Sequence, residues 1–304
     1  MVVSLFSALM FTGSDARSFL QGQFTNDVRH LARERALMGS INSAQGRAQS
    51  MLTLIERSEG IYAILPVDDL EPIQKRLRGF VLSAKVDVQV AQGWRVSPCS
   101  EHSIANLPEH RGSKLEPGAC LSGVDFTLLR WWSGDERYLL LARDTWSGPP
   151  IDAGCAETWR LRDIQAGLPV IRPETRNSFV PQTINLDLLQ GMSYDKGCYV
   201  GQEVVARQRR AGVRRRMGRF ASTCAPPTPG TRVFADSDGV SERIEVGEVV
   251  DAAATPQGCE LLAVVDVQPP ASPEDGASHG ARGPLFLPNM IPLSPLTLPY
   301  LPSH

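Results

Sequence analysis

Downstream of residue 217 the sequence sustains no helical period, and that asymmetry limits its fold more than any other feature. The change is marked by Thr223-Cys224-Ala225-Pro226-Pro227-Thr228-Pro229-Gly230, where three prolines fix φ and remove backbone donors. Residues 246–250 and 261–267 then read as strands between turns, so 217–304 is expected to be a small β domain. The tail from Gln268 holds nine prolines, which predicts a Pro-rich loop around 268–284. Beyond it, residues 285–287 and 296–301 read as edge strands.

Residues 1–216 read as mixed α and β. Residues 2–12 suit a strand, Gly13-Ser14-Asp15 a turn and N-cap, and Ala16, Phe19 and Leu20 a helical face. Residues 20–28 are polar between apolar anchors, which predicts a loop with side chains free to hydrogen-bond. Residues 51–55 and 61–66 flank Ser58-Glu59-Gly60 as a hairpin. Asp68 and Asp69 are expected to cap a helix with Leu70, Ile73, Leu77, Phe80 and Val81 on one face, before an alternating strand at 86–90. Residues 97–118 lack a pattern and are expected to be surface loop. Strand signals return at 126–132 and 138–142. A helix from Glu157 follows, with Leu161, Ile164 and Leu168 on its face and a stop at Gly167 and Pro169. Strand–helix and hairpin units occur twice before residue 170, which predicts an α+β class of two related layers.

With 304 residues and 42% hydrophobic content, the chain can bury a large core and hold two or three domains. A net charge of −2 excludes a polyelectrolyte overall, although seven arginines lie between Arg207 and Arg219. Six cysteines without a C-x-x-C pair or zinc-like spacing point to reduced thiols in a cytoplasm-like compartment, and to no metal site. Residues 1–11 are too short to span a bilayer and lack a cationic flank, so a first strand is expected and no membrane segment.

The most reactive stretch is Lys196-Gly197-Cys198-Tyr199-Val200-Gly201-Gln202-Glu203. An amine, a thiol, an amide and a carboxylate fall within eight positions, spaced by glycines that admit close approach. Residues 201–207 read as a helix start, so Cys198 stands near both a lysine and a helix N-terminus. Those conditions lower a thiol pKa and suit a nucleophile, a metal ligand or an oxidisable sulfur. A buried, inert cysteine is the competing reading. Lys196 reads as a solvated charge or an anion ligand. Arg207 suits a phosphate or carboxylate, whereas Arg214–Arg216 would serve any polyanion or none. Trp159, read alone, is a core aromatic.

This string, with Phe179-Val180-Pro181-Gln182 and Asn185-Leu186-Asp187 before it, resembles the signature of the YgfZ family. That family comprises folate-binding proteins related to the T-protein, the aminomethyltransferase of the glycine cleavage system, and supports iron–sulfur proteins. Leu20-Gln21-Gly22-Gln23 with Thr25, Asp27 and Val28 is similar to the family's first loop, and Ser83-Ala84-Lys85-Val86 to its strand entry. Ile164-Gln165-Ala166-Gly167-Leu168-Pro169 resembles a helix end of the family, and residues 295–300 its final strand.

The resemblance implies a T-protein-like fold: two ferredoxin-like α+β parts around a central folate cavity, in residues 1–216, and a C-terminal β-barrel in 217–304. It implies tetrahydrofolate or a derivative as the ligand, with pterin contacts from Trp159, Gln165 and Phe6, and Arg207 nearby. Cys198 and Lys196 would carry the activity, framed by Gly197, Tyr199, Gly201, Gln202 and Glu203. Two departures stand out. The T-protein has an acid near the folate, where this chain reads Arg47-Ala48-Gln49-Ser50-Met51 without a carboxylate, which argues against amine transfer. Gln165 replaces a usual Glu, exchanging an acceptor-only group for one that also donates.

The resulting expectation is a cytoplasmic, folate-binding accessory protein for assembly or repair of iron–sulfur clusters in client enzymes, including tRNA-modifying ones. Its partners would be those clients or cluster-assembly proteins, with no membrane and no direct nucleic-acid contact. The alternatives are a folate-dependent aminomethyl or one-carbon transferase and, last, an RNA- or polyanion-binding module along Arg207–Arg219.

Overall fold

The computed structural model describes residues 5–100, 104, 107, 115–132, 134, 136–148, 155–237, 240–267 and 283–301. The chain forms two compact units, each drawn from separate stretches. The first comprises Met1–Ala44, Gln49–Trp159 and Gln190–Val200; the second comprises Gln45–Ala48, Arg160–Leu189 and Gly201–His304.

The first unit opens with β1 (Phe6–Thr12), α1 (Ala16–Gln23), β2 (Leu37–Asn42), β3 (Ala48–Arg57), β4 (Gly60–Pro66), α2 (Leu70–Gly79) and β5 (Asp87–Val90). These strands form one sheet in the order β2-β3-β4-β1-β5. Strand alternation turns Leu9, Phe11, Leu52, Leu54, Ile61, Ala63 and Leu65 to one face. There they meet Phe19 and Leu20 of α1 and Ile73 and Leu77 of α2 in a single buried cluster. The hairpin expected at Ser58-Glu59-Gly60 is present, with Arg57 opposite Gly60.

Three local expectations need correction. Asp15 does not cap α1 with its side chain; the carboxylate accepts the Lys85 backbone N–H at 2.7 Å. Residues 20–23 are helix, not loop, because α1 runs to Gln23. Within it Gln21 donates to the Asp27 carboxylate at 3.0 Å and accepts the Val28 N–H at 2.7 Å. Asp68 and Asp69 lie in a 3-10 turn, Val67–Asp69, and the buried Asp69 makes no side-chain cap on α2.

A second sheet follows: β6 (Trp94–Ser100), β7 (Cys120–Ser122), β8 (Phe126–Arg130) and β9 (Arg137–Arg143), in the order β6-β9-β8-β7. The expected surface loop thus begins as a strand. Cys99, Ile104 and Leu107 join Phe126, Leu128, Tyr138 and Leu140 in a core, with apolar residues too widely spaced to show a period in sequence. Residues 101–103, 105–106 and 108–114 of that stretch lie outside the described residues. Strand β8 ends at Arg130, short of the expected Trp132.

After α3 (Ala156–Gln165) and α4 (Gln202–Ala211), the chain enters β10 (Arg215–Ser222), β11 (Arg232–Ser237), β12 (Val240–Thr255), β13 (Gly258–Asp266), β14 (Leu285–Leu287) and β15 (Ile291–Leu296). These close a barrel in the order β10-β13-β12-β11-β14-β15, so the molecule is α+β with a C-terminal barrel as expected. Val233, Val249, Leu261, Ala263 and Val265 fill its interior. A bulge between Val249 and Asp251 re-aims Asp251, which is 2% exposed, toward Arg160 Nε and Arg172 Nη2, both at 2.8 Å. The strand expected at 296–301 lies instead at Ile291–Leu296. Tyr300 instead donates its hydroxyl to the Gly167 carbonyl at 3.1 Å and accepts Asn185 Nδ2 at 3.1 Å. Of the expected Pro-rich loop, residues 268–282 lie outside the described residues.

Candidate functional site

The motif loop is held by the polar stretch around the end of α1, and all of these contacts lie within the first unit. The Thr25 hydroxyl donates to the Gly191 carbonyl at 2.8 Å, and the Thr25 carbonyl accepts the Ser193 N–H at 3.0 Å. Asn26 Nδ2 donates to the Gln190 carbonyl at 2.8 Å, and the Val200 N–H reaches the Gly22 carbonyl at 3.1 Å. Lys196 completes the join, its ammonium donating to the carbonyls of Phe24 at 2.6 Å and Asn26 at 2.8 Å, with the Tyr199 ring 4.9 Å away. Two sequence segments about 170 residues apart therefore make one structure. Asp27 anchors the partner stretch. Its carboxylate accepts from Gln21 and from the Arg29 guanidinium at 2.6 Å, and Arg29 holds it well below the usual carboxylate range.

Within the loop the residues divide sharply by environment. Lys196 is 7% exposed, and burial pulls its pKa down to about 8. Its described contacts are the two carbonyls and the Tyr199 ring, so it orders the loop through those two hydrogen bonds. The expectation that it tunes Cys198 finds no contact to support it among them. Tyr199 is also buried, and burial keeps its phenol protonated. Cys198, between them, is exposed, and a Cβ built on Gly197 would meet no atom within 4 Å. The thiol therefore stands at the open tip of a loop whose flanks are fixed. Gly201 takes a left-handed φ of 80° at the N-cap of α4, whose first turn carries Gln202 and the exposed Glu203.

Phe6 and Trp159, singled out separately in sequence, meet at a ring-centroid distance of 6.0 Å, and Trp131 lies 5.7 Å from the first and 5.8 Å from the second. Trp132 joins at 5.4 Å from Trp131. Arg137, 1% exposed, sets its guanidinium 4.5 Å over the Trp159 ring and donates to the Trp159 carbonyl at 3.2 Å. Trp159 Nε1 is a buried donor with no acceptor among the described residues. The group is a buried aromatic cluster with one N–H that lacks an acceptor among the described residues, and that chemistry suits a flat, nitrogen-rich heterocycle. Sequence reasoning missed Trp131, Trp132 and Arg137. The adjacent tryptophans at a strand end were a usable signal, but nothing in the pattern marks Arg137 as interior.

Gln165 and Arg207 belong to the second unit. Gln165 Nε2 donates to Glu260 Oε1 at 3.1 Å, and Glu260 is held in turn by Arg219 at 2.6 Å. Arg207 is exposed on α4. The arginine run is not one solvated stripe. Arg216 is 6% exposed and forks onto Asp187 at 2.7 and 2.9 Å, and Arg215 pairs with Asp266 at 2.6 Å. Arg207, Arg210 and Arg214 remain exposed and outside ion pairs among the described residues. Arg47, Arg214 and Arg215, with Phe179, Thr183 and Gln208, line a cleft of ≈ 480 Å³. Arg47 also donates to the Ser178 carbonyl. Among the described residues no cluster of His, Cys, Asp and Glu could hold a metal ion, and no helix is long and apolar enough to cross a membrane.

No protein-family model matches the sequence. It is 31% identical over 236 residues to the tRNA-modifying protein YgfZ of Vibrio vulnificus, covering 74% of this chain and 70% of that protein. To the tRNA-modifying protein YgfZ of Colwellia psychrerythraea it is 28% identical over 228 residues, 70% of this chain and 68% of that one. In structure it resembles the glycine cleavage system aminomethyltransferase T of Bartonella henselae, with a TM-score of 0.64 over 98% of this chain and 85% of that one. At 15% identity that likeness is one of fold. Sequence identity sustained over most of both chains places this protein in the YgfZ family.

Proposed function

We propose that this protein binds tetrahydrofolate and supports assembly or repair of iron–sulfur clusters in client enzymes of a reducing, cytoplasm-like compartment, among them enzymes that modify tRNA. The observation that carries the reading is Cys198, exposed at the tip of a loop whose neighbours Lys196 and Tyr199 are buried. A thiol fixed in place and open to solvent suits transient exchange with a partner's sulfur or iron. Lys196 acts as a positioning residue through the carbonyls of Phe24 and Asn26. The folate would supply a flat pterin, and Trp159 Nε1 would give it a hydrogen bond beside Phe6 and Trp131. The relatives' name supports the link to tRNA modification.

Cys198→Ala is expected to bind tetrahydrofolate like the unaltered protein while losing support of an iron–sulfur tRNA-modifying enzyme in cells lacking the native protein. Normal support by that variant would overturn the role of the thiol. In a fluorescence titration, Trp159→Phe, which removes the N–H together with the pyrrole ring but keeps an aromatic face, should weaken tetrahydrofolate binding by at least roughly tenfold. Unchanged affinity would remove Trp159 from the pterin site.

A second reading as a polyanion-binding module draws on Arg207, Arg210 and Arg214, exposed and free of ion pairs among the described residues. It requires salt-sensitive RNA retention that falls when all three become Gln. Aminomethyl transfer is less favoured, because residues 47–51 carry no carboxylate.

A further inference from the structure

The barrel of the second unit holds a pair of thiols that the reading above does not use. Cys259, the second residue of β13, lies directly opposite Ser222, the last residue of β10, and is 1% exposed within the barrel core. Cys224 follows two residues after Ser222, where β10 has ended, and packs half-buried on the same core. Their sulfurs are 3.9 Å apart. Gly258 explains the approach: with φ of 139°, a Cβ there would lie 2.2 Å from the Ser222 carbonyl oxygen and 2.7 Å from Thr223 Cα. Only a glycine lets the chain leaving β10 lie on the start of β13, and that contact sets the two cysteines side by side.

We propose that Cys224 and Cys259 form a peroxide-reactive dithiol that closes to a disulfide and staples the end of β10 to the β12–β13 hairpin. The accessible sulfur is Cys224, and it reacts first. Its thiolate attacks one peroxide oxygen, the O–O bond breaks, and hydroxide leaves as water after taking up a proton, which leaves a sulfenic acid. The Cys259 sulfur then attacks the Cys224 sulfur, and hydroxide departs with the Cys259 proton as a second water. Two thiols and one hydrogen peroxide thus give one disulfide and two waters. A disulfide needs the sulfurs at ~2.05 Å, so they must close by nearly 2 Å. Cys224 lies beyond the β10 ladder and can make that movement without breaking a strand pair. Burial holds the Cys259 thiol up at about 12, so the half-buried Cys224 and not Cys259 meets the peroxide first.

The test uses the full chain, exposed briefly to hydrogen peroxide, blocked with N-ethylmaleimide while folded, and then peptide-mapped. The expected product is a Cys224–Cys259 peptide pair lacking two hydrogens and released by dithiothreitol. Its melting temperature should rise by roughly 5 °C over the reduced protein. In Cys224→Ser the pair is absent, and Cys259 is alkylated only after unfolding. Three outcomes would overturn the proposal: Cys224 advancing to sulfinic acid with Cys259 left as a thiol, Cys224 joining a different cysteine, or both staying reduced at a peroxide dose that oxidises the exposed Cys198.

Discussion

Lys196 shows how one residue type is decided by its surroundings. In sequence it is a lysine two positions before a cysteine, and an electrostatic pairing is the obvious inference. In the structure its ammonium is buried on two backbone carbonyls belonging to residues 24 and 26. Lys196→Met is expected to leave those carbonyls without a donor and to destabilise the protein by about 2 kcal/mol at neutral pH. The sign of the pH dependence follows from the depressed pKa of about 8 against an ordinary 10.5. Between those values the unfolded state holds the proton and the folded state releases it, so folding gains stability as pH rises. Urea unfolding of both proteins at pH 8 and pH 10 should show the margin over Lys196→Met widening. A constant margin would mean that Lys196 is solvated.

Among the elements, the turns depend on single glycines, and their neighbours set how much each matters. Gly46, in the turn before β3, has φ of +70°, and a Cβ would lie 2.8 Å from both the Gly201 carbonyl oxygen and Val204 Cβ. Gly93 has a similar φ of +74° but nothing within 4 Å. Gly46→Ala adds a clash with the start of α4 to the left-handed strain and is expected to cost over ~2 kcal/mol, against ~1 kcal/mol for Gly93→Ala. Equal urea midpoints for the two variants would show that the turn before β3 yields freely. The elements themselves were largely readable: the 58–60 hairpin, α2 and the main barrel strands follow from period and turn chemistry. The ends were not, because Asp15 and Asp69 found tertiary partners or burial in place of the caps their residue types suggest.

For the molecule as a whole, chain order and spatial order part company. The first unit takes in Gln190–Val200 and the second takes in Gln45–Ala48, so neither is a contiguous stretch. Within the second unit, Asp251 receives two guanidinium groups from segments outside the barrel, Arg160 and Arg172. Asp251→Asn leaves two cations facing one neutral amide, and chemical denaturation should show a loss of about 3 kcal/mol. The low end of the usual range applies because the arginines stay 27% and 24% exposed. A loss under ~1 kcal/mol would mean that water replaces the carboxylate.

The sequence by itself determined the class of the fold and singled out the loop that carries Cys198. Those depend on local period, on proline and glycine, and on the rare density of reactive types around residue 198. Only the tertiary structure decided what the charges do. Arg216 and Lys196 are interior, Arg207 and Arg214 are not, and no pattern of neighbours in the chain separates them. The same holds for Trp159 beside Phe6 and Trp131, and for Cys224 beside Cys259. These pairings join residues 28 to 153 positions apart, and they arise from strand register and close backbone approach, which local sequence does not encode.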